Sequence, residues 1–172
     1  MALRNILKLP DETLNKKSRD VTAFDDKLWV LLDDMHDTLE KHDGVGIAAV
    51  QVGILRRVIV IDLGDGVIEL INPEILHSIG SQRELEGCLS CPDLWGYVVR
   101  PDFVKVKSMN RHGKPQFHEA DDLLAIAICH EIDHLNGVVF PDVADEMVDK
   151  DEAEAERERK PHRKRRKKKV RR

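Results

Sequence analysis

Cysteine is scarce in this sequence, and long apolar runs are absent from it. The 172 residues include three cysteines, an odd number and too few for the disulfide framework that holds small secreted domains together. No apolar run approaches the roughly 18 residues that a membrane-spanning helix needs, and residues 1–8 lack the apolar core of a signal peptide. We therefore expect a cytoplasmic protein, in which an important cysteine binds metal or takes part in catalysis.

Acidic residues are missing from the C-terminal end. Residues 160–172 contain ten Lys or Arg and no Asp or Glu, whereas residues 1–159 contain 18 basic and 32 acidic side chains, a net charge of −14. A segment of this composition cannot bury an apolar face, so we expect it to be disordered or to depend on a partner. Its positive charges attract polyanions such as nucleic acids through counterion release.

The chain length fits a single domain, and apolar periodicity predicts its elements. A stripe of four leucines and Met35 at helical spacing predicts a helix over residues 25–42, and a largely apolar segment predicts a buried helix over 120–135. The acid-rich residues 142–159 favour a surface helix. Apolar runs predict strands over 57–61, 67–71, 97–99 and 103–108 and near Phe117. This order predicts an α+β fold with a mostly antiparallel sheet packed around the second helix.

The sharpest feature is the sequence H-E-I-D-H from His130 to His134. Four residues are about one helical turn, so the two histidines project from one face and can hold one divalent metal. Glu131 lies beside the first ligand and can reach a metal-bound water. Leu123 and Ala127 lie on the same face of the predicted helix as the two histidines, which places the histidines on the core side. Unpaired polar groups are costly there. The pattern therefore predicts a metal site and not a pair of surface histidines.

A metal held by two histidines needs a third protein ligand, for which three sources are available. One zinc peptidase class takes it from the last histidine of H-E-x-x-H-x-x-G-x-x-H, but Phe140 occupies that position and excludes the class. Another class uses a downstream acid. The available acids lie in a charged, solvated run: Glu146, Glu152, Glu154 and Glu156.

Cysteine is the third source. Cys88 can supply a thiolate, which is a strong ligand for borderline and soft divalent metals. Cys91 completes a C-x-x-C with it, but a closed four-cysteine site needs a second pair, and the one remaining cysteine is Cys129. Zinc deaminases combine P-C-x-x-C with an upstream H-x-E. This sequence has no H-x-E before Cys88. We therefore interpret Cys91 as a packing residue and Cys129 as a small buried side chain.

Glycines punctuate the apolar segment from Gly44 to Gly53. Its first six residues match the dinucleotide fingerprint G-x-G-x-x-A, but that fingerprint must follow a strand, and this segment follows a helix. The glycines instead favour a backbone that lies close to a ligand. Gln51 offers an amide that can donate to an oxyanion.

These segments together resemble the three signature motifs of the peptide deformylase family. They are GVGIAAVQ at 44–51, EGCLS at 86–90 and HEIDHLNG at 130–137, in the family's order and approximate spacing. The resemblance implies a catalytic domain over 1–145, followed by an acidic and then basic extension over 146–172, helical first and then disordered. Members of this family are metal-dependent hydrolases that remove the N-formyl group from the formyl-methionine of nascent polypeptides and release formate.

The resemblance also implies a role for each site residue. Cys88, His130 and His134 correspond to the metal ligands, with Fe²⁺ the usual metal and Zn²⁺, Ni²⁺ or Co²⁺ as replacements. Glu131 corresponds to the general base. Because the family acts on chains that emerge from ribosomes, ribosomal RNA becomes the expected partner of the basic residues 160–172.

Substrate contacts follow from the same resemblance. Gln51 and the backbone N–H of Leu89 correspond to the groups that polarise the formyl oxygen. Gly46 lies in the backbone strip that pairs with the substrate as an added strand, and apolar side chains line a methionine pocket. The expected substrate-binding residues are Gly44, Val45, Gly46, Ile47, Leu123, Ile126 and Ala127.

The chain departs from the family pattern at three positions. Ile47 replaces the usual Leu, Cys129 replaces a common Gln before the first metal histidine, and Asp122 replaces a common Gly at the start of the second helix. An N-cap role would suit Asp122. None of these changes removes a catalytic group.

Two other classes of function remain compatible with the residues. A zinc peptidase that cuts internal bonds would take its third ligand from the C-terminal acids, so its metal content would not depend on Cys88. A nucleic-acid-binding protein with a structural metal would use the basic tail, would have a closed metal site and would hydrolyse nothing. Glu131 beside an open metal position favours the hydrolase.

Overall fold

The computed structural model describes residues 2–160, so the predicted disorder of the basic tail lies outside the described residues. Four helices are α1 Asp26–Lys41, α2 Asp122–Leu135, α3 Phe140–Val143 and α4 Lys150–Arg159, with 3₁₀ turns at Glu12–Asn15 and Ala49–Val52. Eight strands are β1 Gly46–Ala48, β2 Val58–Asp62, β3 Val67–Ile79, β4 Gln82–Cys88, β5 Cys91–Arg100, β6 Phe103–Met109, β7 Pro115–Asp121 and β8 Glu146–Val148. No helix among these residues is long and apolar enough to cross a membrane.

Two antiparallel sheets form the frame of the molecule. The larger has the strand order β1-β2-β3-β6-β7, and the smaller has the order β4-β5-β8. Every strand pair in both sheets is antiparallel. The predicted α+β class with a mostly antiparallel sheet is therefore confirmed.

The larger sheet lies between the two long helices, which explains the continuous apolar sequence of β2. Val58 and Val60 pack with the leucines of α1, whereas Ile59 and Ile61 pack with α2 on the opposite face. All four side chains are fully buried. Burying an aliphatic side chain of this size contributes about 1.5–3 kcal/mol. The two core layers hold α2 firmly against β1 and β2.

Helix α1 agrees with its prediction within a residue at either end, and its start has a clear cause. Asp25 is the N-cap, and its side chain accepts a hydrogen bond from the Leu28 N–H. The smaller sheet was missed in part, because β4 was not predicted. Its sequence, QRELEGC, is polar and poor in β-branched residues, and most of the strand is partly exposed.

Helix α2 begins differently from the sequence expectation. The N-cap is Asp121, and Asp122 is already the first helical residue, with φ of +48°. The N-cap role predicted for Asp122 is therefore wrong. A left-handed conformation is the reason that glycine suits this position, and Asp is among the few other residues that tolerate it.

The compact fold continues beyond residue 145. Strand β8 pairs with β5 through Trp95, Gly96 and Tyr97. In α4, Ala153 is fully buried, and Arg157 stacks over the Trp95 ring with its guanidinium carbon 4.9 Å from the ring centroid. The predicted helical part of the extension is thus packed against the smaller sheet.

Candidate metal centre

Helix α2 and the β4–β5 hairpin bring Cys88, His130 and His134 together. One ligand atom from each residue lies within 4.8 Å of the other two. The Cys88 Sγ is 3.3 Å from Nε2 of His134, and the two imidazole centroids are 5.0 Å apart. Three such donors could hold a metal ion, and catalytic zinc sites use three protein ligands beside one open position.

His130 is oriented by a buried ion pair that the sequence analysis did not predict. Its Nδ1 lies 2.8 Å from Oε2 of Glu86, whose two oxygens accept hydrogen bonds from Arg100 at 2.8 and 3.0 Å. Arg100 also donates to Asp133. An ionised carboxylate only accepts hydrogen bonds, so the proton is on Nδ1 of His130, and Nε2 is free to act as a ligand. Glu86 stands two residues before Cys88 on one strand, so both side chains lie on one face. This spacing is the signal by which Glu86 could have been found from the sequence.

Hydrogen bonding controls the charge of two groups here. Burial alone would raise the pKa of Glu86, but the hydrogen bonds from His130 and Arg100 hold that pKa below its ordinary value. The pKa of Cys88 is lowered far more, chiefly by a hydrogen bond from the Cys91 thiol and further by the two histidines, against the opposing effect of burial. These contacts favour the thiolate form of Cys88, the form in which cysteine binds metal.

Glu131 projects into the same space and has no structural partner for one of its oxygens. The residue is 4% exposed, and its Oε2 makes no hydrogen bond with any of residues 2–160. Burial raises the pKa of Glu131. A Cβ at Gly46 would lie 2.8 Å from Oε1 of Glu131, so a larger residue there would displace the Glu131 side chain. A buried, unpaired carboxylate with a raised pKa is suited to proton transfer.

Gln51 is held rigidly beside the cysteine. Its Oε1 accepts a hydrogen bond from the Ala48 N–H at 2.9 Å, and its Nε2 lies 3.1 Å from Oγ of Ser90 and 3.6 Å from Sγ of Cys88. The N–H of Ser90 also points to the Cys88 sulfur, at 3.4 Å. The amide hydrogens of Gln51 therefore face the Cys88 sulfur and the Ser90 hydroxyl, and Ser90 is a neighbour that the sequence analysis did not single out.

The expected substrate-binding residues surround this cluster unevenly. Val45 and Ala127 pack in the core layer on the α2 side, whereas the Ile47 side chain packs on the α1 side, so only its backbone can face a substrate. Leu89 follows Cys88 directly, and its side chain lies against Gly44. The remaining pocket candidates on α2 are Leu123, which is half-buried, and Ile126, which is buried.

The other two cysteines are free thiols in apolar surroundings. Cys91 is 1% exposed and packs with Leu14, Val98 and Phe140, and Cys129 packs in the core layer beneath α2. Burial raises the pKa of Cys129 to about 11. Both residues occupy the packing positions that the sequence predicted.

Comparison with known proteins gives a single answer. A family model described as polypeptide deformylase matches residues 3–150. The chain is 51% identical over 152 residues to a peptide deformylase of Thermoanaerobacter pseudethanolicus, covering 88% of this chain and 96% of the relative. It is 49% identical over 154 residues to peptide deformylase 1 of Bacillus subtilis, with the same two coverages.

Solved structures agree with the sequence relatives. A peptide deformylase from Legionella pneumophila superposes with a TM-score of 0.81 at 45% identity, covering 83% of this chain and 86% of that one. The enzyme from Thermotoga maritima gives 0.82 at 38% identity, covering 84% and 99%. The family resemblance is confirmed over the two rival classes: the chain belongs to the polypeptide deformylase family, metalloenzymes whose known activity is the removal of the N-formyl group from nascent peptides.

Proposed function

We propose that Cys88, His130 and His134 hold one divalent metal and that Glu131 is the general base of the deformylation reaction. The supporting observation is the convergence of three donor atoms within 4.8 Å beside a buried carboxylate with an unpaired oxygen. One thiolate and two imidazoles suit Fe²⁺, Zn²⁺, Ni²⁺ and Co²⁺, and the family resemblance favours Fe²⁺. In such a site the metal supplies Lewis acidity, which lowers the pKa of water and stabilises negative charge on a carbonyl oxygen.

Glu131 carries the proton through the reaction. Its free Oε2 accepts a proton from the attacking water, and the hydrolysis then needs that proton on the departing amine of the methionine residue. Burial raises the pKa of Glu131 towards neutral pH. The carboxyl group can therefore both accept and donate a proton more readily. A return of the same proton closes the cycle with the side chain ionised again.

Two hydrogen-bond donors stabilise the formyl oxygen as it becomes negative. Gln51 presents its amide hydrogens towards Cys88 and is fixed in place by Ala48 and Ser90. The backbone N–H of Leu89, the residue after the metal ligand, is the second donor. Because both donors are positioned before the reaction, little reorganisation is needed when the charge develops.

The peptide main chain has a free strand edge on which to bind. Strand β1 is one edge of the larger sheet, and β4 is one edge of the smaller sheet. Gly46 of β1 lies against Glu131, and β4 ends at Cys88. A substrate strand added to the backbone at 44–47 would pass the glycine that faces Glu131. Its methionine side chain would enter the pocket formed by Val45, Leu123, Ile126 and Ala127.

Formate release from a formyl-Met peptide tests this assignment. The protein is purified without oxygen and loaded with Fe²⁺, beside a Glu131→Gln variant that keeps the size of the side chain. We expect the variant to retain its metal and to lose formate release by about 10²–10⁴-fold. Release at the wild-type rate from the metal-loaded variant would overturn the role of Glu131.

Metal content tests the ligand set independently. We expect Cys88→Ala to lose the bound metal and Cys129→Ala, a buried cysteine outside the cluster, to keep it. Retention of a full metal equivalent by Cys88→Ala would instead support a ligand from the acids that follow residue 145.

The basic tail is proposed to bind ribosomal RNA, and the cytoplasm, where nascent chains emerge, is the proposed location. Lys160 is the last residue described, and it is anchored by an ion pair of 2.9 Å with Glu84. Deletion of 161–172 leaves that ion pair in place and removes nine positive charges. Co-sedimentation with ribosomes at two salt concentrations should then show weaker binding and a smaller salt dependence. Unchanged affinity and salt dependence would refute the proposal.

A further inference from the structure

Cys91 lies directly opposite the metal ligand Cys88 across the β4–β5 hairpin. The two residues are Cα partners in the register, joined by a two-residue turn. Partners in an antiparallel pair point to the same face of the sheet, with Cα atoms about 4.5–5.5 Å apart. That separation falls inside the range of about 4.4–6.8 Å found for disulfides.

The two sulfurs are also neighbours in the packing. Both side chains belong to the apolar cluster around Phe140, in which Cys91 is buried and Cys88 packs against it. The third cysteine has different surroundings, because Cys129 packs in another core layer. Cys88 therefore faces one cysteine, and the hydrolysis has no use for it.

We propose that Cys91 is a resolving cysteine, which forms a reversible disulfide with Cys88 after peroxide oxidises the metal ligand. A thiolate that reaches the sulfinic state is lost irreversibly, whereas a disulfide is restored by thiols. Cys91 thus keeps oxidation of the metal site reversible.

The chemistry is a two-electron oxidation by hydrogen peroxide. The Cys88 thiolate attacks one peroxide oxygen, the O–O bond breaks, and a sulfenic acid and hydroxide result. The Cys91 sulfur then attacks the sulfenic sulfur, the S–S bond forms and the S–O bond breaks. The departing hydroxide takes the Cys91 proton and leaves as water. The two sulfurs have together lost two electrons, and the peroxide has been reduced.

Disulfide formation removes one of the three proposed metal ligands. The two histidines alone bind the metal more weakly, so oxidation should release it, and reduction should restore binding. This part of the inference rests on the proposed function. The disulfide itself does not, because mass and thiol content report on it without any hydrolysis.

The test uses the full chain loaded with Zn²⁺, which takes no part in redox chemistry. Hydrogen peroxide is added in small excess and removed with catalase. Intact mass, thiol count and zinc released to a chromogenic chelator are then measured before and after dithiothreitol. We expect a loss of two hydrogens, one disulfide mapped to Cys88 and Cys91, release of the zinc, and full recovery with dithiothreitol and fresh zinc.

Matched variants identify the resolving residue. Cys91→Ala, with Cys91→Val as a second version that fills the buried position, should gain two or three oxygens at Cys88 and fail to recover. Cys129→Ala should behave as the wild type. The proposal is overturned if the wild type passes to the sulfinic state without a disulfide, or if either Cys91 variant still forms an intramolecular disulfide. Loss of formate release with this redox behaviour intact would count against the proposed function alone.

Discussion

The two histidines of α2 share one helix face, yet their outer nitrogens have different surroundings. Nδ1 of His130 is hydrogen-bonded to Glu86, which is held in turn by Arg100. Nδ1 of His134 is fully buried and has no hydrogen-bond partner among residues 2–160. The fold thus sets the tautomer and ring orientation of His130, whereas His134 is positioned by packing and by its contact with Cys88.

Removing Arg100 should have the largest effect on the support of His130. Arg100→Met leaves the Glu86 carboxylate buried without its cation, which should cost about 3–5 kcal/mol in the free energy of unfolding. Arg83→Met is the matched control, because Arg83 is 43% exposed in its ion pair with Asp145, and its loss should change the free energy of unfolding far less. Urea unfolding of both metal-free variants measures the difference. Equal losses would mean that burial of the ion pair has no special importance.

Neutralising Glu86 should weaken the metal site by a smaller amount. Glu86→Gln keeps the shape but replaces the charged acceptor of His130, and the loss of such an outer partner lowers metal affinity by about 10–100-fold. Competition with a chelator of known affinity measures it. Unchanged affinity would show that the two histidines are equivalent ligands despite their different surroundings.

Acid should act through the same carboxylate. Because the pKa of Glu86 is lower in the folded chain than its ordinary value of 4.5, its contribution to stability is complete above that value and disappears as the pH falls through the folded pKa. The wild type should therefore lose more stability than Glu86→Gln on acidification below about pH 5. Unfolding curves of the metal-free proteins from pH 7 downward test this. Parallel losses would contradict it.

The smallest effect is expected at Asp133, the outer end of the network. Its side chain is 28% exposed, so its ion pair with Arg100 is partly screened by water. Asp133→Asn should cost about 1 kcal/mol or less and leave metal affinity unchanged. A loss as large as that of Arg100→Met would place the support of His130 at the protein surface instead of in its interior.

Sequence patterns brought out the candidate ligands but not the residues that support them. His130 and His134 are one helical turn apart, so local geometry alone relates them. Glu86 contacts His130 from the smaller sheet and is held there by Arg100, 14 residues later, and nothing in their spacing encodes that pairing. The polar composition of β4 concealed the strand that carries both Glu86 and Cys88.

The start of α2 shows a second limit. Asp is a common N-cap residue, and the sequence analysis assigned Asp122 that role. The chain instead turns into the helix with a positive φ at Asp122, where its N–H donates to the Asp102 carbonyl at 3.0 Å. The sign of φ at a single residue depends on the path of the preceding loop, and the amino-acid sequence pattern does not reveal that path.

The burial of β2 on both faces has a consequence for motion. Its amides are covered by α1 and α2 and lie between β1 and β3, so their hydrogens should exchange with solvent only when the whole domain unfolds. The three-residue edge strand β1 has one neighbouring strand in the described structure and can open locally at lower free energy. The edge strand β1, on which a peptide would add its own strand, should thus open easily although it pairs with β2, whose amides should exchange most slowly.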